Sequence, residues 1–165
     1  MKKLVLVAVL LFGTFVNSAS ATKFPEWYIK LKKIELLKST ESDVVRLYGE
    51  PKAPKGKILR TFETKDGDLS ITLSTGKCGT EYKKGYDVNA GVVERVEFSV
   101  NKKGRVKPEK LGIDLSQFEK FEVDDVPGVF FYQNLDSGIH FYVERGVVSS
   151  LDFQPSSEYD ELYCP

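Results

Sequence analysis

One order of local signals, a short capped helix followed by alternating apolar strands, is written twice along this chain and narrows its fold more than any other feature. The first copy opens at Ser39-Thr40-Glu41-Ser42-Asp43-Val44-Val45-Arg46-Leu47-Tyr48-Gly49. Thr40 or Ser39 can cap the free N–H groups, Glu41 and Asp43 suit the positive helix end, and Gly49 with Pro51 behind it stops the helix. Val44, Leu47 and Tyr48 give it one short apolar stripe. Strands are expected over Ile58 to Thr64 and Leu69 to Thr75, joined through Asp66-Gly67, a hairpin turn signal. A third strand is expected over Val92 to Val100. Val92, Val96, Phe98 and Val100 alternate there with Val93, Arg95, Glu97 and Ser99, and Glu94 breaks the apolar row once.

The second copy predicts a helix over Leu115 to Phe121 capped by Asp114, then strands over Val129 to Asn134, Ile139 to Glu144 and Val147 to Phe153. Asn134 to Gly138 and Arg145-Gly146 supply the turns. Both halves read helix, strand, strand, strand. The expected fold is α+β: tandem repeats, about 34–104 and 111–154, forming antiparallel sheet with short helices on one face. Residues Phe24 to Leu37, with Trp27, Tyr28, Leu31, Ile34 and Leu37, fit a helix only loosely and read as an N-terminal packing segment.

The chain opens as an export signal does: Lys2 and Lys3, an apolar run from Leu4 to Val16, and the small-residue site Ala19-Ser20-Ala21. The run is too short for a permanent anchor, which needs about 20 apolar residues, so cleavage before Thr22 is expected. Residues 1–21 form the signal, and 22–165 are one α+β domain with a C-terminal tail. No cysteine sits at the cut to carry a lipid, and no later segment is apolar enough to span a bilayer. The expected localisation is exported, periplasmic or secreted. The 24 basic and 24 acidic residues balance, and losing Lys2 and Lys3 leaves the mature form at −2. Nucleic acid, which calls for a basic patch, is not an expected partner.

Cys78 and Cys164 are the only cysteines, and an even count in an exported chain reads as one disulfide. It would close a long loop and pin the tail, at roughly 4 to 5 kcal/mol by loop-closure entropy. A reactive or metal-binding pair is the competing reading, but it needs further ligands, and His140 is the only histidine. No metal site and no cofactor is predicted. Glu63, Asp66 and Asp68, or Asp124 and Asp125, lack the spaced oxygens of a defined calcium loop. The acidic ending of Glu158, Asp160 and Glu161 reads as a solvated tail.

No catalytic residue is predicted. A general base at His140 would need a positioned partner, and no Gly-x-Ser-x-Gly, His-Glu-x-x-His or paired Cys/His motif is present. Alternation along Ile139 to Glu144 turns Ile139, Phe141 and Val143 one way and His140, Tyr142 and Glu144 outward, so an exposed strand histidine is expected. Phe130 and Tyr132 share one face of the preceding strand. A register that joins them to His140 and Tyr142 would make a Tyr-rich binding surface. Two other arrangements remain open: Phe24, Trp27 and Tyr28 fold over that patch, or Phe130 and Tyr132 face the core.

Leu37-Lys38-Ser39-Thr40, Asp43-Val44 and Leu47-Tyr48-Gly49-Glu50-Pro51 resemble the opening of a family of uncharacterised exported bacterial proteins. So do Gly76-Lys77-Cys78-Gly79, the hairpin from Tyr132-Gln133-Asn134 to Gly138-Ile139, and the ending Pro155 to Cys164. That resemblance implies no activity. A helix ending in Leu-Tyr-Gly-Glu-Pro and leading into a hairpin also looks like the helix-to-sheet unit of SmpA/OmlA envelope lipoproteins and the tandem repeats of the β-lactamase inhibitor protein. Members of both groups bind other proteins, which implies a non-catalytic binding or envelope-associated module whose partner is another exported or envelope protein. The alternatives are an enzyme built on His140, Tyr132 and Tyr142, or a binder of a small apolar ligand between sheet and N-terminal segment.

Overall fold

A computed structural model describes residues 23–55, 58–79 and 85–164. The export signal and the Thr22 cleavage point lie outside the described residues. Of the two candidate caps Thr40 is the one used: Thr40 and Asp43 bond each other's backbone N–H groups at the start of helix α2 (Glu41–Tyr48), and Gly49 closes it at φ 85°. The hydrogen bond from the Thr40 N–H holds the Asp43 carboxyl below its usual range, with the Thr40 hydroxyl and Arg46 adding to it. Val44 is fully buried, and Arg60 reaches back from the sheet to Glu41. Within the ambiguous N-terminal segment, residues 24–37, only α1 (Glu26–Leu31) is helical, and it buries Trp27, Tyr28 and Leu31. Its Trp27 ring stacks on Phe98, 5.2 Å between centroids.

The eight strands among the described residues form one antiparallel sheet: β1 (Lys52–Lys55), β2 (Leu59–Glu63), β3 (Gly67–Leu73), β4 (Val93–Val100), β5 (Glu119–Glu122), β6 (Val129–Asn134), β7 (Ile139–Glu144) and β8 (Val147–Phe153). Their order is β1-β2-β3-β4-β8-β7-β6-β5, so each half runs outward-in as a four-strand meander and the two last strands pair at the centre. The α+β class with helices on one face is as predicted. The three-strand count is not, because β1 and β5 each add an edge strand.

Leu115 to Phe121 is also corrected. Only Leu115–Gln117 is helical, as a single 3-10 turn whose Ser116 N–H bonds Asp114. Phe118 leaves the turn extended and meets Phe141 edge-on at 5.0 Å. Three residues of turn cannot nucleate a helix against the pull of a strand pairing with β6.

The predicted facing of β4 changes at Glu94. Arg95 pairs with Thr72, yet Val93 pairs with Leu73, so Glu94 is the extra residue of a β-bulge. The bulge turns Val93 into the core, where it is fully buried, and sends the Glu94 carboxylate to the Tyr86 N–H. β8 carries the same device: Ser150 pairs with Tyr142 and Val148 with Val143, which leaves Ser149 as the extra residue.

Phe62, Leu69, Ile71, Val96, Phe98, Phe141, Val148 and Leu151 form the centre of the core under α1 and α2. Gly138 is required where the β6–β7 hairpin meets β8. It has φ +67°, and a Cβ there would sit 2.0 Å from the Gln154 carbonyl oxygen. Cys78 and Cys164 form the predicted disulfide, across 86 residues of sequence. Beside it the Cys164 N–H bonds Gly85 and the Asp87 N–H bonds Leu162, which holds the tail against the β3–β4 connection.

Candidate functional site

The face of the sheet away from α1 and α2 carries the candidate site. Strand register builds it as two transverse rows. One runs Lys52, Thr61, Ser70, Glu97, Asp152, His140, Gln133 and Glu119 across all eight strands. The other crosses β5 to β8 as Phe121, Phe131, Tyr142 and Ser150. Phe121 is 45% exposed and Tyr142 40%, although neighbouring rings touch. Phe131 lies 6.3 Å from Phe121 and 5.0 Å from Tyr142, centroid to centroid.

Beside the aromatics stands a charged network. Arg95 grips Asp152 with two hydrogen bonds, Nε to Oδ1 at 2.9 Å and Nη2 to Oδ2 at 2.8 Å. The same Nη2 is 2.6 Å from Glu97, and the Gln154 amide donates to Asp152 at 2.9 Å. The hydrogen bond from Asp152 raises the Arg95 pKa further, so the guanidinium stays charged. These groups and the aromatic row border an open depression of about 420 Å3.

The four residues expected to form one surface divide between the faces. His140 and Tyr142 lie on this face, as alternation required. Tyr132 pairs with Phe141 and stacks on it at 5.1 Å on the core side, where Phe130 is also packed. The hairpin closes at Asn134 and Ile139, and that register places Phe131, not Phe130 or Tyr132, beside Tyr142. Phe24, Trp27 and Tyr28 do not cover the patch, since they pack on the opposite, core face.

The expected exposure of His140 is overturned as well: it is only 6% exposed. Phe131 lies parallel to its ring at 6.0 Å, and Gln133 and Asp152 flank it on the adjoining strands. Burial pushes its pKa down, with Asp152 opposing and Arg95 assisting, and its Nδ1 has no hydrogen-bond partner. Asp152, the carboxylate on the adjoining strand, is held by Arg95 and Gln154. The grouping of His140, Tyr142 and Tyr132 as one catalytic site fails on geometry, because Tyr132 is on the other side of the sheet.

A second cavity, about 340 Å3, opens on the core side between the N-terminal segment and the sheet. Leu31, Ile34, Leu36, Val96, Ile139 and Phe153 give it an apolar lining. Among the described residues no three His, Cys, Asp or Glu side chains are grouped to hold a metal ion, and no helix is long and apolar enough to cross a membrane.

Sequence reasoning missed Arg95, Asp152, Phe121 and Phe131 as site residues. The alternation of Arg95, Glu97 and Ser99 did signal an outward polar row, and hairpin register would have found Phe131. No protein-family model, curated protein or solved structure matches the chain.

Proposed function

We propose that this is an exported, non-catalytic module that binds another exported or envelope protein through the open face of its sheet. One observation carries the reading: Phe121, Phe131 and Tyr142 form a continuous aromatic row on the face that, among the described residues, no helix covers. Large apolar side chains left in such a row favour contact with a partner, because rigid rings offer area at small entropic cost. The disulfide supports an oxidising compartment, and the Lys2-Lys3 opening with Ala19-Ser20-Ala21 supports export.

A tandem origin of the two halves belongs to the same proposal. It is supported by the matching bulges at Glu94 and Ser149, and by the pairing of Glu97 with Asp152, each three residues beyond its bulge. The test is photo-crosslinking from the native compartment with a benzophenone side chain at Tyr142, and at exposed Ile29 of α1 as control. A discrete adduct from position 142 alone is expected. No adduct, or equal adducts from both positions, would refute the reading.

The apolar core-side cavity favours a second reading, binding of a small apolar ligand between sheet and N-terminal segment. Extraction of natively purified protein, followed by mass spectrometry, would then release a stoichiometric small molecule.

A further inference from the structure

We infer that the partner of the open face is a basic polypeptide surface, one that clusters arginine or lysine side chains around an apolar centre. This rests on the reading of that face as a binding surface and supplies the chemistry of what binds there.

Carboxylates outnumber cations among the described side chains of the face. Among the described side chains it presents Glu63, Asp68, Glu97, Glu119, Glu144 and Asp152. Opposing them are Lys52, which pairs with Glu63, Arg95, which Glu97 and Asp152 share, and Arg105, which reaches Glu144 from outside the strands. Lys52 also feels Asp68, Glu119 has no cation in these pairs, and Arg95 alone serves two carboxylates. Around the aromatic row, Arg95 and Arg105 neutralise Asp152 and Glu144, and Glu119 stands without an ion pair among these. Strands β5 to β8 contribute Glu119, Glu144 and Asp152 to this face and no lysine or arginine. Their one lysine, Lys120, turns to the other side, where its Nζ sits 3.7 Å from the Phe130 ring centroid. The buried, neutral His140 adds no charge.

A cationic side chain crossing this face therefore meets exposed ring faces flanked by carboxylates, the arrangement that attracts guanidinium and ammonium groups. Polyanions meet repulsion. The three rings span two strand spacings, roughly 10 Å, a width that a strand or one helical turn of a partner can cover.

The test is a titration of 15N-labelled protein with hexa-arginine and, separately, hexa-glutamate, at low and high salt. With hexa-arginine, saturable shifts are expected at the amides of Phe131, Tyr142, Ser150 and Asp152, weakening as salt rises. Tyr142→Ala should reduce that affinity roughly fivefold while the rest of the spectrum keeps its native dispersion. Glu119→Gln should weaken it to a smaller extent, and hexa-glutamate should shift nothing there. Absence of binding, shifts centred elsewhere, equal response to both peptides, or full affinity in folded Tyr142→Ala would each overturn the inference. Failure here combined with a discrete crosslink from position 142 would reject only the basic partner. Failure of both would remove the binding face itself.

Discussion

Phe141 and Tyr142 are neighbours in sequence, and their alanine variants should behave very differently. Phe141 has no exposed surface, stacks on Tyr132 at 5.1 Å and meets Phe118 edge-on at 5.0 Å. Truncating a buried Phe costs about 3–5 kcal/mol, and losing two ring contacts of about 0.5–1.5 kcal/mol each places this site at the upper end, about 4–5 kcal/mol. Tyr142 is 40% exposed and has one ring neighbour within the aromatic row, Phe131, so Tyr142→Ala should cost about 1 kcal/mol or less. For a domain of this length about 4 °C of melting temperature accompanies each kcal/mol, giving drops of about 16–20 °C against about 4 °C. Circular dichroism melts with urea midpoints as a second measure would read both. Equal destabilisation of the two variants would refute the assignment of opposite faces on β7, and with it the aromatic row.

Tyr48 buries a hydroxyl that has no hydrogen-bond partner, and burial raises its pKa; Tyr48→Phe should therefore raise stability, by about 1 kcal/mol in urea unfolding. The His140 pKa is depressed in the fold, so its contribution is fully present above the unfolded value near 6.5 and is lost as pH falls below it, at no more than about 1.4 kcal/mol per pH unit. Unfolding at pH 7.5 and 5.5 should show this slope in the native chain and lack it in His140→Gln, while an identical slope in both would refute it. Cys164→Ser should speed amide exchange in residues 155–164 more than in the core strands, since it removes the link that holds the tail to the β3–β4 connection.

Local chemistry made part of this fold legible in the sequence and long-range pairing hid the rest. The Thr40–Asp43 cap, six strands and the disulfide rest on short-range or compositional signals, and those features are present. β1 and β5 were unreadable because Lys52–Lys55 and Glu119–Glu122 lack alternation: an edge strand takes its shape from one neighbour's hydrogen bonds. Glu94 looked like an error in an apolar row, whereas it marks a bulge that reverses parity behind it. At the site, His140 and Tyr142 were placed on the right face but their companions were not. Facing within one strand follows from alternation; facing between strands also needs the register, which the hairpin loop sets. His140 adds a further lesson. On an inner strand of a wide sheet, an outward side chain can be buried by its lateral neighbours alone.

The two halves differ in a way that bears on function. Counted from their bulges, Leu69 corresponds to Ile139, Ile71 to Phe141, Leu73 to Val143, Val93 to Val148, Val96 to Leu151 and Phe98 to Phe153, and every one of these twelve core-face residues is apolar. On the open face the same count sets Thr72 against Tyr142, Ser70 against His140, Leu59 against Phe131 and Lys52 against Glu119. Packing demands explain why the core positions agree, since both must fill the same space under the helices. Packing makes no such demand on the open face, where the first half carries Thr72, Ser70, Leu59 and Lys52, with a ring at none of them. Phe121 and Tyr142 leave apolar surface in contact with water on the side away from the core, which supports the proposed binding face.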